Sequence, residues 1–145
     1  MLQTVRRLLT LFLLICLWAG AQAQQTTTPK QGSPERKAIV DALRVPMQKR
    51  LKQKIIFKID RLKLKDGFAF IVAQPLQPNG RPIDYRGTSI QSAIDAGAFD
   101  DTVVALLKRQ GGRWKVLTYV HGATDVPYVD WPEKYKAPPA IFKVD

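Results

Sequence analysis

The sequence predicts an α+β domain: an N-terminal helix packed on a four-stranded antiparallel sheet of two hairpins, a short connecting helix, and an irregular aromatic C-terminal tail. Three observations predict it. Ile39, Leu43, Met47 and Leu51 recur every four residues, the spacing of one helical face. Asp66-Gly67 and Gly111-Gly112 each separate two strand-like runs, and both are two-residue hairpin signals because the central positions of such turns want positive φ. After Gly122 the pattern is lost, and Tyr128, Trp131, Tyr135 and Phe142 stand among four prolines.

Ahead of that domain the chain reads as a secretory signal peptide over residues 1–23. Arg6 and Arg7 give a positive start, Leu8 to Gly20 is an uncharged apolar run, and Ala21-Gln22-Ala23 has the small residues a signal peptidase accepts. The run is shorter than the roughly 20 residues that span a bilayer. Val5 and Thr10 fit a twin-arginine signal poorly. Ile15 stands where a lipoprotein signal wants a small residue before Cys16, so the general secretory route is expected. The expected location is the periplasm or the medium, with no transmembrane segment left after cleavage. Residues 24–32, QQTTTPKQG, are too polar to bury anything and read as a flexible linker. Residues 33–145 read as one domain.

Ser33 can cap the first helix, Pro34 suits its first position, and Glu35 complements its positive end. The helix is expected over Glu35–Gln53, kinked or split at Pro46, which removes one backbone bond. In Lys54 to Lys65, Phe57 and Ile59 alternate, and then Leu62 and Leu64 alternate in the opposite phase. An extra residue at Asp60-Arg61 explains the shift as a β-bulge. The partner strand, Phe68 to Gln74, is apolar on both faces. Its Ala69, Ile71 and Ala73 face is the one a helix can approach closely, with Phe68, Phe70 and Val72 on the other. Pro75 to Gly87 is a loop rich in Pro and Gly. Thr88 to Ala98 is a short helix, and Thr102 to Gln110 with Arg113 to Val120 form the second hairpin. Trp114, Val116 and Val120 share one face of its second strand. The core is expected to include Ile39, Leu43, Met47, Leu51, Phe70, Val72, Leu106, Trp114 and Val116. The tail aromatics are expected to peg the last segment to the body.

The single cysteine, Cys16, leaves with the signal. The mature chain therefore has no disulfide, thiol nucleophile or cysteine ligand, and the sequence offers no metal-ligand cluster and no cofactor motif. Its charge is uneven. Residues 24–65 hold 12 basic and 3 acidic residues, a formal +9, whereas residues 66–145 hold nine of each. A field so polarised favours an anionic partner. Alternation places Lys58, Lys63 and Lys65 opposite the apolar face of their strand, with Arg61 and Lys52 nearby, and these five are the candidate ligand-binding residues. For an exported chain the expected partner is an anionic envelope component or another exported protein, not nucleic acid.

The catalytic candidates are few. His121 is the only histidine and Asp125 follows four residues on, the minimal pair for acid–base chemistry. Asp84-Tyr85 supplies a carboxylate and a phenol in the long loop, although adjacent residues point in different directions. Asp100-Asp101 reads as a chain-turning pair, since two carboxylates are too few for a dedicated metal site.

The stretch Thr102-Val-Val-Ala-Leu-Leu-Lys-Arg-Gln-Gly-Gly-Arg-Trp-Lys-Val-Leu resembles the closing hairpin of the NTF2-like superfamily. The chain also resembles small secreted bacterial proteins of uncharacterised function, through Ser33-Pro34-Glu35-Arg36, Gly67-Phe68-Ala69-Phe70 and Gly122-Ala-Thr-Asp125-Val126. An NTF2-like relationship implies a pocket carboxylate, Asp125 or Asp84, acting as a general base. The single long helix before the sheet is equally similar to a cystatin-like arrangement. Two functions are thus expected as alternatives: a non-catalytic envelope protein that binds an anionic surface or partner through its basic first third, or a small NTF2-like enzyme.

Protein recovered from outside the cytoplasm should begin at residue 24. Intact-mass analysis checks this, and a chain retaining Met1 or carrying lipid on Cys16 would contradict it.

Overall fold

The computed structural model describes residues 25–144, so the signal peptide expected over residues 1–23 lies outside the described residues. The element order is α1 (Pro34–Leu51), β1 (Ile56–Lys65), β2 (Phe68–Leu76), α2 (Gln91–Asp95), β3 (Asp100–Gln110), β4 (Arg113–Gly122), α3 (Trp131–Tyr135) and a 3₁₀ turn (Pro139–Phe142). The four strands form one antiparallel sheet in the order β1-β2-β3-β4. The predicted α+β architecture is the one observed.

Local chemistry sets the ends of the elements. The Ser33 hydroxyl accepts from the Arg36 N–H at 3.2 Å, capping α1. The αL conformation of Lys52 stops it. The helix runs through Pro46 without splitting. Proline inside a helix costs about 3 kcal/mol. Leu43 and Met47, on either side of it, are fully buried against the sheet, and each such burial is worth about 1.5–3 kcal/mol. Packing therefore outweighs the lost bond. Asp66 and Gly67 both have positive φ, as do Gly111 and Gly112, so both hairpins turn as their sequences require. β1 shifts register between Ile59 and Arg61, and the bulge returns Leu62 and Leu64 to the face of Phe57 and Ile59. β2 continues through Pro75, two residues beyond its last pair with β3, so the missing N–H breaks no β2–β3 bond.

Each face of the sheet has its own cover. On one, the α1 stripe of Ile39, Leu43, Met47 and Leu51 packs on Leu62, Leu64, Ala69, Ile71, Ala73, Val103, Ala105 and Leu107. On the other, Phe68, Phe70, Val104 and Leu106 meet Trp131, Ala137, Ile141 and Phe142. Phe70 is the hub there, with ring centroids 4.8 Å from both Tyr128 and Phe142 and 6.4 Å from Trp131. The tail aromatics are pegs, as their composition predicts.

Two expectations change. Val72, Trp114 and Val116 are only half-buried. Trp114 and Val116 belong to β4, an edge strand that keeps solvent on its outer side. The segment read as a flexible linker is fastened: Thr27 and Leu64 exchange backbone bonds of 2.9 and 2.7 Å. The exposed edge of β1 has free N–H and C=O groups, and a passing chain satisfies them.

Leu43→Ala should destabilise the domain by about 2–5 kcal/mol in denaturant titrations. Val45→Ala, on the outer face of the same helix at 69% exposure, should stay within about 0.5 kcal/mol of the natural protein.

Candidate functional site

Two places hold clustered polar chemistry. The first lies inside the sheet edge. His121 faces Val103 across the β3–β4 pair, on the helix-covered side. The register shifts between Asp100 and Val103, and alternation puts Asp101 on the same side as Val103. Tyr85 reaches in from the loop after β2. Its hydroxyl donates to Asp101 Oδ1 at 2.5 Å, and His121 Nε2 lies 3.0 Å from the same oxygen and 3.2 Å from the phenol. A carboxylate only accepts, so the imidazole hydrogen belongs on Nε2. Nδ1 is buried and has no hydrogen-bond partner among the described residues. Phe99 stacks edge-on to both rings, with centroids 5.2 Å away. Gly122 leaves room for Phe99: a Cβ at that position would lie 2.4 Å from the Phe99 ring.

Burial, reinforced by the hydrogen bond from its hydroxyl to Asp101, pushes the Tyr85 phenol far above its usual range. The His121 side chain is fully shielded, and its bonded nitrogen is already engaged. The cluster ties the loop to the sheet.

The expected His121–Asp125 pair is not formed. His121 pairs with Asp101 and Tyr85, and Asp125 is exposed beside a cleft of about 170 Å³ that includes Arg61 and Tyr128. Asp84 and Tyr85 do point apart. Asp84 faces solvent in a two-bond ion pair with Arg86, Nη2–Oδ2 2.6 Å and Nε–Oδ1 2.9 Å. The Arg86 hydrogen bonds pull its carboxyl down to about 2, which makes it a very weak base. Among the described residues no group of three His, Cys, Asp or Glu is placed to hold a metal ion.

The second place is the basic first third. Lys58, Arg61, Lys63 and Lys65 stand opposite Gln74, Val72, Phe70 and Phe68 in register, so they share the tail-covered side of β1. Lys58 is exposed and Arg61 and Lys65 are half-buried. Lys63 is 7% exposed, and its ammonium donates to the Lys143 carbonyl at 2.9 Å. The tail that pegs the aromatic face therefore also claims Lys63. Lys52 is not beside them. It ends α1, on the other side of the sheet, and with Arg50 and Arg86 borders a cleft of about 630 Å³. The basic residues are thus two groups separated by the sheet.

Sequence reasoning missed Asp101 and Tyr85 as partners of His121. The signal was present, because counting outward from Gly111-Gly112 sets His121 opposite residue 102, next to Asp101. No helix among the described residues is long and apolar enough to cross a membrane. No family model, curated protein or solved structure matches this chain.

Tyr85→Phe should cost about 1.5–3 kcal/mol, the value of a bond to a charged acceptor. The raised phenol pKa gives the effect a pH signature. The folded state keeps the proton while the unfolded tyrosine loses it near 10.0, so this stabilisation is complete below that pH and falls as pH rises above it. Urea titrations at about pH 8 and about pH 11 should show the gap between natural and variant protein narrowing at the higher pH.

Proposed function

We propose that this is an exported, non-catalytic domain that binds an anionic surface or partner of the cell envelope through cations of its N-terminal third. The observation that carries the reading is how few of those cations are neutralised. Asp41 takes both Lys37 and Arg44, and Glu35 lies 3.7 Å from Arg109. Lys49, Arg50, Lys52, Lys54 and Lys58 are exposed and have no carboxylate within ion-pair distance among the described residues. Unpaired exposed cations keep their full long-range field, which steers anionic partners and is screened by salt.

Two features favour binding over catalysis. The helix stripe fills the sheet face on which an NTF2-like enzyme would need its pocket. The polar cluster around His121 is spent on holding a loop.

At low salt the mature domain should be retained on anionic lipid vesicles or anionic cell-wall polymer and released as salt is added. Glutamine at Lys58, Arg61 and Lys65, or at Lys49, Arg50, Lys52 and Lys54, should weaken retention. Equal retention of all three proteins, or none by the natural one, would overturn the reading.

A further inference from the structure

The cleft at the carboxyl end of α1 has features that generic surface charge lacks. One wall is Arg50, Lys52 and Gln53, and the other is the loop Asp84 to Ser89. Arg50 and Lys52 have no carboxylate partner among the described residues. Asp84 is the one acidic residue lining the cleft, and it is already committed to Arg86. That pair uses Nε and Nη2 of Arg86 and leaves its other guanidinium N–H groups to turn elsewhere. Two cations therefore remain uncompensated. The helix end opposes an anion with about half a negative charge. Gln53 Nε2, at 3.4 Å from the Leu51 carbonyl, offsets part of that. The balance stays positive.

The loop wall adds donors of another kind. The Ser89 hydroxyl and the backbone N–H groups of Gly87 and Ser89 make no hydrogen bond among the described residues. Gly87 has a φ of +74° and nothing within 4 Å of where a Cβ would sit, so its backbone is open to a close approach. The loop is also held in place: Tyr85 is anchored on Asp101, the Thr88 hydroxyl donates to the Tyr85 carbonyl at 2.6 Å, and Gln53 Nε2 donates to the Asp84 carbonyl at 3.1 Å. The last of these bonds ties the two walls together.

We propose that this cleft is a binding site for a phosphate group, an inference that rests on the anion-binding reading above and locates it. A tetrahedral oxyanion offers oxygens in several directions at once. It can meet the guanidinium of Arg50, the ammonium of Lys52, and the hydroxyl and N–H donors of the loop together, whereas a planar carboxylate engages one side of such a set. A volume of about 630 Å³ exceeds one phosphate, so the cleft also has room for the group that the phosphate esterifies. A phosphorylated soluble molecule and a phospholipid headgroup share this chemistry.

The test uses the mature domain and glycerol phosphate as the soluble probe, followed by calorimetry at low salt. The natural protein should bind it, and R50Q/K52Q should bind at least about tenfold more weakly, one charged contact being worth that much. R113Q/K115Q removes the same charge from exposed positions of β4, outside the cleft lining, and should bind like the natural protein. Succinate should bind at least about tenfold more weakly than glycerol phosphate, on the same scale. Unchanged thermal unfolding of both variants ensures that folded proteins are compared. Equal binding by R50Q/K52Q, equal loss in both variants, or succinate matching glycerol phosphate would overturn the site. If no protein binds glycerol phosphate but the natural one is still held on anionic vesicles, the cleft proposal fails and the broader reading survives. Vesicles of phosphatidylglycerol separate the sources: retention lost in R50Q/K52Q assigns a headgroup, and soluble binding without retention assigns a free phosphate ester.

Discussion

The packing of α1 on one side of the sheet, with its backbone nearest β4, governs the rest of the molecule. Ile39, Leu43 and Met47 are fully buried in one cluster with Ala69, Ile71 and Ala73 of β2. Once the helix takes that side, the large side chains of the same strand, Phe68 and Phe70, must face the other way and need a second cover. The final segment supplies it with Trp131, Ile141 and Phe142. One alternation of small and large along a single strand therefore decides which parts of the chain lie on which side. It also divides the positive charge. The lysines of β1 go with the phenylalanines, and those ending α1 go with the alanines.

The buried Tyr85–Asp101–His121 cluster has a related role on the helix side. The loop after β2 buries Ile83, Tyr85 and Ile90 in the helix-side core. One aromatic residue carrying a hydroxyl supplies both parts of an anchor, a ring against Phe99 and a donor for Asp101. With Tyr85 turned inward, Asp84 and Arg86 turn outward and form the lip of the cationic cleft. The polar core and the surface chemistry are thus successive residues of one short segment.

Much of the fold was legible because local signals agreed with global ones. The four-residue stripe, the two turn dipeptides and the phase change at Asp60 each named their element, and the structure places each of them there. The helix through Pro46 was less legible, since its survival depends on long-range burial of Leu43 and Met47 that local propensity does not register. Lys63 was misplaced for a similar reason. Alternation gives its side of the strand correctly but does not reveal that the chain 80 residues later lies across it. The partners of His121 required a register count across a hairpin with two shifts, and proximity in sequence pointed to Asp125 instead.

The order in which the layers close follows from the same topology. Every neighbour in the sheet is also the next strand in sequence, so helix and sheet can assemble as the chain is delivered from its N-terminal end. The Phe70 side cannot. Its cover comes after the last strand, and until Trp131 to Phe142 arrives the sheet shows water a row of phenylalanine, valine and leucine. For a chain emerging from a ribosome, this is the interval of greatest exposure to aggregation and to proteolysis. The segment from Trp131 to Phe142 is made after every strand it covers, and its arrival closes that side of the sheet.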